Sequence, residues 1–189
     1  MAEDNSIAAA VLDESFRTFR GYKRMADGAL AQLTDQDFFH LPDPESNSVA
    51  LIVKHIAGNL RSRWTDFLTT DGEKPDRNRD QEFILTDADT REALMRYWES
   101  SWETTFNSLQ GLKPEDLTRT VYIRGGPHTV LQAISRSVAH MAYHVGQILY
   151  AGKHLRGAEW KTLSVPKGKS AEFNALKPEE RKVKSPARS

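Results

Sequence analysis

The sequence predicts an all-α protein, a four-helix bundle with a crossover connection rather than a simple up-down-up-down order. Four segments carry apolar residues in steps of three and four, each therefore needing a partner face. One long polar connection separates the second segment from the third, which suits a crossover. No repeat of solenoid length interrupts the pattern.

In the first segment Ile7, Val11, Leu12, Phe16, Phe19, Met25, Ala26, Ala29, Leu30 and Leu33 share a helical face, predicting a helix over roughly 6–33. Asp35 to Ser46 contains two prolines and several turn formers, and reads as a loop ending in a cap at Ser46 or Asn47. Val49, Ile52, Val53, Ile56, Leu60, Trp64 and Phe67 then define a second helix over 47–69. The irregular polar stretch that follows predicts the crossover at about 70–86, with Thr86-Asp87 as the next cap. Ala93, Leu94, Tyr97, Trp98, Trp102, Phe106 and Leu109 mark the third helix, 87–110, stopped by Gly111 and Pro114.

Thr120 to Arg124 is short and β-prone, and Gly125-Gly126-Pro127 supplies a turn with proline near the first helical position. A fourth helix over 127–151 carries Val130, Leu131, Ile134, Val138, Met141, Val145, Ile148 and Leu149. The domain reading is one bundle, 1–152, and a C-terminal extension, 153–189, partly ordered and ending in a mobile, charged, proline-containing tail. A homodimer packed through bundle helices is expected, because amphipathic helices of this length leave an apolar stripe outside one bundle.

The chain of 189 residues suits one domain, and 26 basic residues balance 26 acidic ones, so nothing steers it toward nucleic acid or an anionic membrane. The N-terminus begins acidic, and no stretch is long and apolar enough to span a bilayer, which reads as a soluble cytoplasmic protein. The absence of cysteine removes disulfides, thiolate nucleophiles and iron–sulfur clusters, leaving histidine and oxygen as metal ligands.

Of six histidines, His140 and His144 stand four apart in VAHMAYHVGQ, so on a helix both rings leave one face about a turn apart. Such pairs also occur on plain surface helices. These two, however, lie beside an apolar stripe in a window with no charged residue between Arg136 and Lys153. His55 occupies the equivalent edge of the second helix, between Ile52 and Ile56. Alone it would read as a core histidine bonded to a carbonyl; together the three predict a His₃ site for a divalent metal, zinc or alternatively nickel. His40, His128 and His154 read as surface or capping residues.

His55-Ile-Ala-Gly-Asn-Leu-Arg-Ser-Arg-Trp64 and His140-Met-Ala-Tyr-His144-Val-Gly-Gln147 resemble the DinB-like (DinB/YfiT-like) superfamily of metalloenzymes over about residues 6–152. RGGPHTVLQAI and WKTLSVPKGKS look like an uncharacterised branch of it. The resemblance implies the up-down-down-up bundle, a dimer and three histidine ligands. It further implies either a transferase or isomerase using a low-molecular-weight thiol such as bacillithiol or mycothiol, or a metal-dependent hydrolase.

A three-histidine metal can activate water or a thiol without any protein cysteine. Asn59 and Arg63 on the second helix, and Ser137 and Gln147 on the fourth, share faces with the ligands. Asn59 and Gln147 are the candidates for orienting water or a small-molecule substrate. No Asp or Glu lies within a turn of a ligand on these helices, although Asp13, Glu14 or Glu99 could reach in from others. Arg124, and Arg77 with Arg79 in the crossover, are either surface arginines or an anion-binding mouth. The alternative to an enzyme is a noncatalytic metal-binding or stress-related dimeric bundle.

Overall fold

The computed structural model describes residues 2–177 and residue 180. The first apolar stripe folds as helix α1, Ala2–Leu30, burying Phe19, Ala26, Ala29 and Leu30. It stops short of the expected 33 because Thr34 begins a separate short helix, α2, Asp35–Phe39. There the Asp37 amide donates to Thr34 Oγ1 at 3.1 Å while the Thr34 amide donates to the Asp37 carboxylate at 2.9 Å, a reciprocal cap. Leu33 stays buried although it lies outside the helix. Arg91 donates to the carbonyls of Leu30 and Leu33, at 2.8 and 2.9 Å, satisfying oxygens that α1 leaves open at its end.

Helix α3, Val49–Trp64, is the most enclosed element, with fourteen of its sixteen residues buried. Its cap is Ser48, not Ser46 or Asn47; the hydroxyl accepts from the Leu51 amide at 3.2 Å. It ends at Trp64 rather than 69, because Asp66 adopts a left-handed backbone (φ 47°) and its carbonyl takes the amides of Thr69 and Thr70. The apolar period still reached Phe67, which is buried in the turn beyond the helix.

The connection therefore runs from 65 to 90, wider than the expected 70–86, and contains one 3₁₀ turn, Asp80–Phe83. Thr86 and Asp89 form a turn in it rather than a cap. Helix α4 is Arg91–Gln110, capped by Thr90 through the Ala93 amide at 3.2 Å.

Strands β1, Thr120–Ile123, and β2, Gly126–Thr129, pair antiparallel with Ile123 opposite Gly126. Pro127 thus lies in a strand, not at a helix start. The two-residue tip, Arg124 and Gly125, has φ values of 55° and 73°, the positive pair that a tight hairpin demands. The Asp71 carboxylate holds it, accepting from the Arg124 amide at 2.8 Å and the Gly125 amide at 2.7 Å.

Helix α5, Val130–Arg156, starts three residues later than expected and runs past 151. Gly152 does not stop it. A Cβ there would come within 3.1 Å of the Trp160 ring, so the glycine admits that tryptophan onto the helix. The Gln32 amide bridges the backbone N–H (2.7 Å) and C=O (3.1 Å) of Lys161, and Leu163 lies against Gly28. Part of the extension is thereby strapped across α1 and α5, ahead of a last short helix, α6, Ser170–Ala175. The charged tail lies outside the described residues, Glu180 excepted.

Among the long helices, α3 packs on α4 and α5, and α1 packs on α5 and α4. Lys54 pairs with Asp89 at one end of α3 and α4, and Ser108 Oγ donates to the Trp64 carbonyl at the other, so these two run the same way. Phe16 meets Phe106, and Trp98 Nε1 donates to Asp27 at 2.9 Å, so α1 runs opposite to α4. The C-terminal ends of α5 and α1 adjoin, with Gly152 beside Leu33 and Arg156 paired with Asp37.

At the centre Phe19 meets Trp64 and Trp102 edge to face, with centroids 5.7 and 6.3 Å away. Phe19→Ala removes a fully buried ring from contacts with α3 and α4 and is expected to cost about 3–5 kcal/mol, measured by urea unfolding. A loss under about 1 kcal/mol would show that this aromatic contact is not central to the fold.

Candidate metal centre

His55 leaves α3 as part of its buried face, and His140 and His144 leave α5 one turn apart. The three rings converge through the same atom. Nε2 of His140 lies 3.3 Å from Nε2 of His55 and 3.1 Å from Nε2 of His144. One ligand atom from each histidine lies within 4.8 Å of the other two, a group that could hold a metal ion.

The outer nitrogens decide whether a metal fits. His55 Nδ1 meets a Glu82 carboxylate oxygen at 2.7 Å, and His144 Nδ1 meets Gln147 Oε1 at 2.8 Å. Both partners accept, so both Nδ1 atoms carry the proton and both Nε2 atoms present bare lone pairs. His140 Nε2 can donate to only one of them, and a Lewis acid satisfies all three. The 3.1–3.3 Å separations approach the ligand–ligand edge of about 3.3 Å in a tetrahedral site with Zn–N near 2.0–2.1 Å. The three histidines can therefore hold a metal ion.

Glu82 comes from the 3₁₀ turn of the long connection. Burial acts to raise its pKa, but hydrogen bonds from His55 and Arg77 and the charge of Arg77 outweigh it, so the carboxyl is held below its usual range. Arg77 grips both oxygens, Nε to Oε1 at 2.8 Å and Nη2 to Oε2 at 2.9 Å. Gly58, three residues past His55, leaves the space: a Cβ there would lie 2.3 Å from Glu82 Oε1. Phe83 packs over His55 with centroids 4.8 Å apart, and Tyr143 covers His144 at 4.0 Å.

Burial, reinforced by His144, His55, Arg77 and Arg63, pushes His140 down to about 3. Burial, with His55 and Arg79 and against the hydrogen bond to Gln147, pushes His144 down to about 4. Both rings are thus neutral near pH 7, as metal ligation requires.

A cavity of about 550 Å³ opens beside the histidines. Asn59, Ser137 and Gln147 line it, as does Arg63. Asn59 is buried, and its side-chain amide has no hydrogen bond among the described residues. Asp13, Glu14 and Glu99 do not reach the site: Asp13 pairs with Arg17, Glu99 with Lys23, and Glu14 accepts from Thr18. His40 and His154 line a different cavity, and His128 sits in β2, bonded to the Gly126 carbonyl. His154 lies within the last turns of α5 rather than beyond its end.

Sequence reasoning missed Glu82. It sits in a polar stretch without periodicity, and the only local signal was its place five residues after Arg77. Phe83 and Tyr143, which wall the ligands, were missed too.

The class that emerges is a mostly helical protein with a three-histidine group able to hold a metal ion beside an open cavity. Residues 6–169 match the family described as protein of unknown function DUF1572, and the chain belongs to that family. No curated protein matches the sequence. Among the described residues no helix is long and apolar enough to cross a membrane.

Two outcomes follow from the histidine surroundings. Gly58→Ala drives the Glu82 carboxylate off His55, and Glu82→Gln removes its charge; each is expected to weaken metal binding about 10–100-fold with helical circular dichroism retained. Titration against a competing chelator measures this, and unchanged affinity in both variants would remove Glu82 from the centre. The second outcome concerns pH. Unfolded histidines take up protons below about 6.5, whereas folded His140 and His144 stay neutral down to about 3 and about 4. The unfolded state binds more protons in this window, so metal-free protein loses stability as pH falls from about 6.5 toward 4. Urea midpoints against pH, compared with a His140→Gln/His144→Gln double variant, should show a flatter profile in the variant.

Proposed function

We propose that this protein is a divalent-metal-dependent enzyme of DinB-like type, holding zinc, or alternatively nickel, through Nε2 of His55, His140 and His144. The observation that carries the reading is the convergence of three Nε2 atoms, with two of the outer nitrogens engaged by Glu82 and Gln147. Bound there, the metal supplies a Lewis acid that makes water or a low-molecular-weight thiol nucleophilic at neutral pH. The reaction is of the transferase or hydrolase type, on a small-molecule substrate.

Asn59, with its amide toward the cavity one turn past His55, orients substrate or water. Gln147 acts chiefly through His144, whose proton it fixes on Nδ1, and so is a positioning residue. The cavity favours an enzyme over a noncatalytic metal-binding bundle, because a purely structural metal is enclosed by protein on every side.

The same reading takes the long helices as a four-helix bundle in up-down-down-up order, with a bundle domain over 1–152 and an extension over 153–189. It places the protein in the cytoplasm as a homodimer. Tyr143 and Tyr150, seven residues apart on α5 and 56% and 80% exposed, are the apolar surface best placed for a second copy. Light scattering tests this; a monomeric mass at micromolar concentration would count against it.

Elemental analysis of protein purified without added metal is expected to find about one divalent ion per chain, lost in His144→Ala. The holoprotein is then assayed with a panel of thiols and electrophiles. Activity should require metal and rise with pH through the neutral range, because the water or thiol must lose a proton to become the nucleophile while His140 and His144 are already neutral there. Gln147→Ala should lower the rate with metal largely retained. A rate that survives complete chelation would overturn the reading.

A further inference from the structure

Five arginines line the cavity, Arg63, Arg77, Arg79, Arg124 and Arg136, and no carboxylate lines it with them. Their partners do not balance them. Arg77 is saturated by Glu82 and Glu73. Glu73 must also serve Arg124 at 3.4 Å and Arg63 at 4.0 Å, the latter beyond hydrogen-bond reach. Arg79 has only exposed Asp80, at 3.7 Å. Asp71, the other nearby acid, is occupied by the amides of Glu73, Arg124 and Gly125. Arg136, one turn before His140, has no ion pair among the described residues.

Several polar groups in this wall lack partners, His140 Nδ1 and the Asn59 amide among them, and two others bear on its charge. Arg63 is 8% exposed with Nη1 unbonded, and Ser137 is 5% exposed with Oγ unbonded. Leaving a guanidinium N–H buried without an acceptor is costly, and here it lies in the wall of an open cavity together with an unbonded hydroxyl. The site is also built to hold that guanidinium. Gly72 lets Arg63 lie flat, since a Cβ there would stand 2.8 Å from Nη1. Burial, with the charges of Arg77, Arg136 and Arg124 and against Glu73, pushes Arg63 down to about 10, which leaves it cationic at neutral pH.

We infer that the cavity takes a small substrate bearing an oxyanion, a carboxylate or a phosphoryl group, held by Arg63, Arg136 and Ser137 beside the three histidines. This deepens the proposed function and rests on reading the cavity as its substrate site. Guanidinium groups match a two-oxygen anion by paired N–H donors, and a hydroxyl adds a third. A divalent ion on neutral histidines adds positive charge to a wall that is already cationic, and an anionic substrate offsets it. Neutral or cationic substrates would leave Arg63 Nη1 without an acceptor.

Calorimetric titration with inorganic phosphate and with succinate, at low ionic strength, tests the assignment on chelated and on metal-loaded protein. Wild type should bind one of them saturably, once per chain, and the preferred probe distinguishes phosphoryl from carboxylate. Arg136→Gln, on an exposed residue, and Arg63→Gln should each weaken binding about 10-fold or more, with metal content unchanged. Arg17→Gln, at a distant surface pair, should leave it unchanged. If Arg63→Gln fails to fold, Arg136→Gln alone decides. No saturable binding of either probe, or equal binding in Arg136→Gln and Arg17→Gln, overturns the inference. Binding that needs metal and ignores Arg136→Gln assigns the anion to the metal and also overturns it. Arginine-dependent binding by a protein that never takes up metal upholds the anion site while the metal reading falls.

Discussion

The hydrogen bond between the Glu82 carboxylate and His55 Nδ1 joins the longest connection of the chain to its most buried helix, and most of the site is arranged around it. A carboxylate 7% exposed is tolerable only when its oxygens are filled, and Arg77 and His55 fill them. Arg77 is carried by the same connection, so its pairing with Glu82 closes a short loop on itself and presents a finished acceptor to His55. Gly58 supplies the remaining condition, an absent side chain at the one point where the carboxylate crosses α3. Turning the His55 proton outward in this way is what turns its lone pair inward, toward the two histidines of α5.

The electrostatic character of the site follows from the same arrangement. Glu82 and Glu73 are engaged by Arg77 and do not line the cavity, so its polar lining is left to guanidinium groups, side-chain amides, the Ser137 hydroxyl and imidazoles. Phe83 packs on His55 and Tyr143 on His144, and burial together with the neighbouring charges keeps His140 and His144 unprotonated. The proposed metal and anion sites thus draw on one charge distribution.

The hairpin is anchored through its backbone, and its tip adds the Arg124 side chain to the cavity wall. The Gly72 amide donates to the Tyr122 carbonyl at 2.8 Å, Ser62 Oγ donates to the Gly72 carbonyl at 3.0 Å, and Asp71 holds the hairpin tip. These bonds fix the start of the connection against both α3 and β1, and they carry Arg63, Glu73 and Arg124 into register with one another. A connection anchored at both ends and in its middle behaves as a wall of the site.

Apolar spacing alone determined the four long helices, because a stripe at steps of three and four has no other way to be buried. It also determined the three histidines, since residues on the edges of two such stripes must meet once the stripes pack. Helix ends were less legible. Phe67 and Leu33 keep the period after the backbone has left the helix, so the left-handed turn at Asp66 and the cap at Thr34 decide where α3 and α1 stop. Glu82, Arg77 and the unbonded Nη1 of Arg63 were decided only by the tertiary structure. The connection between α3 and α4 has no periodicity to place a residue inward. Its carboxylate and guanidinium groups acquire meaning only where packing removes water and leaves each other as partners.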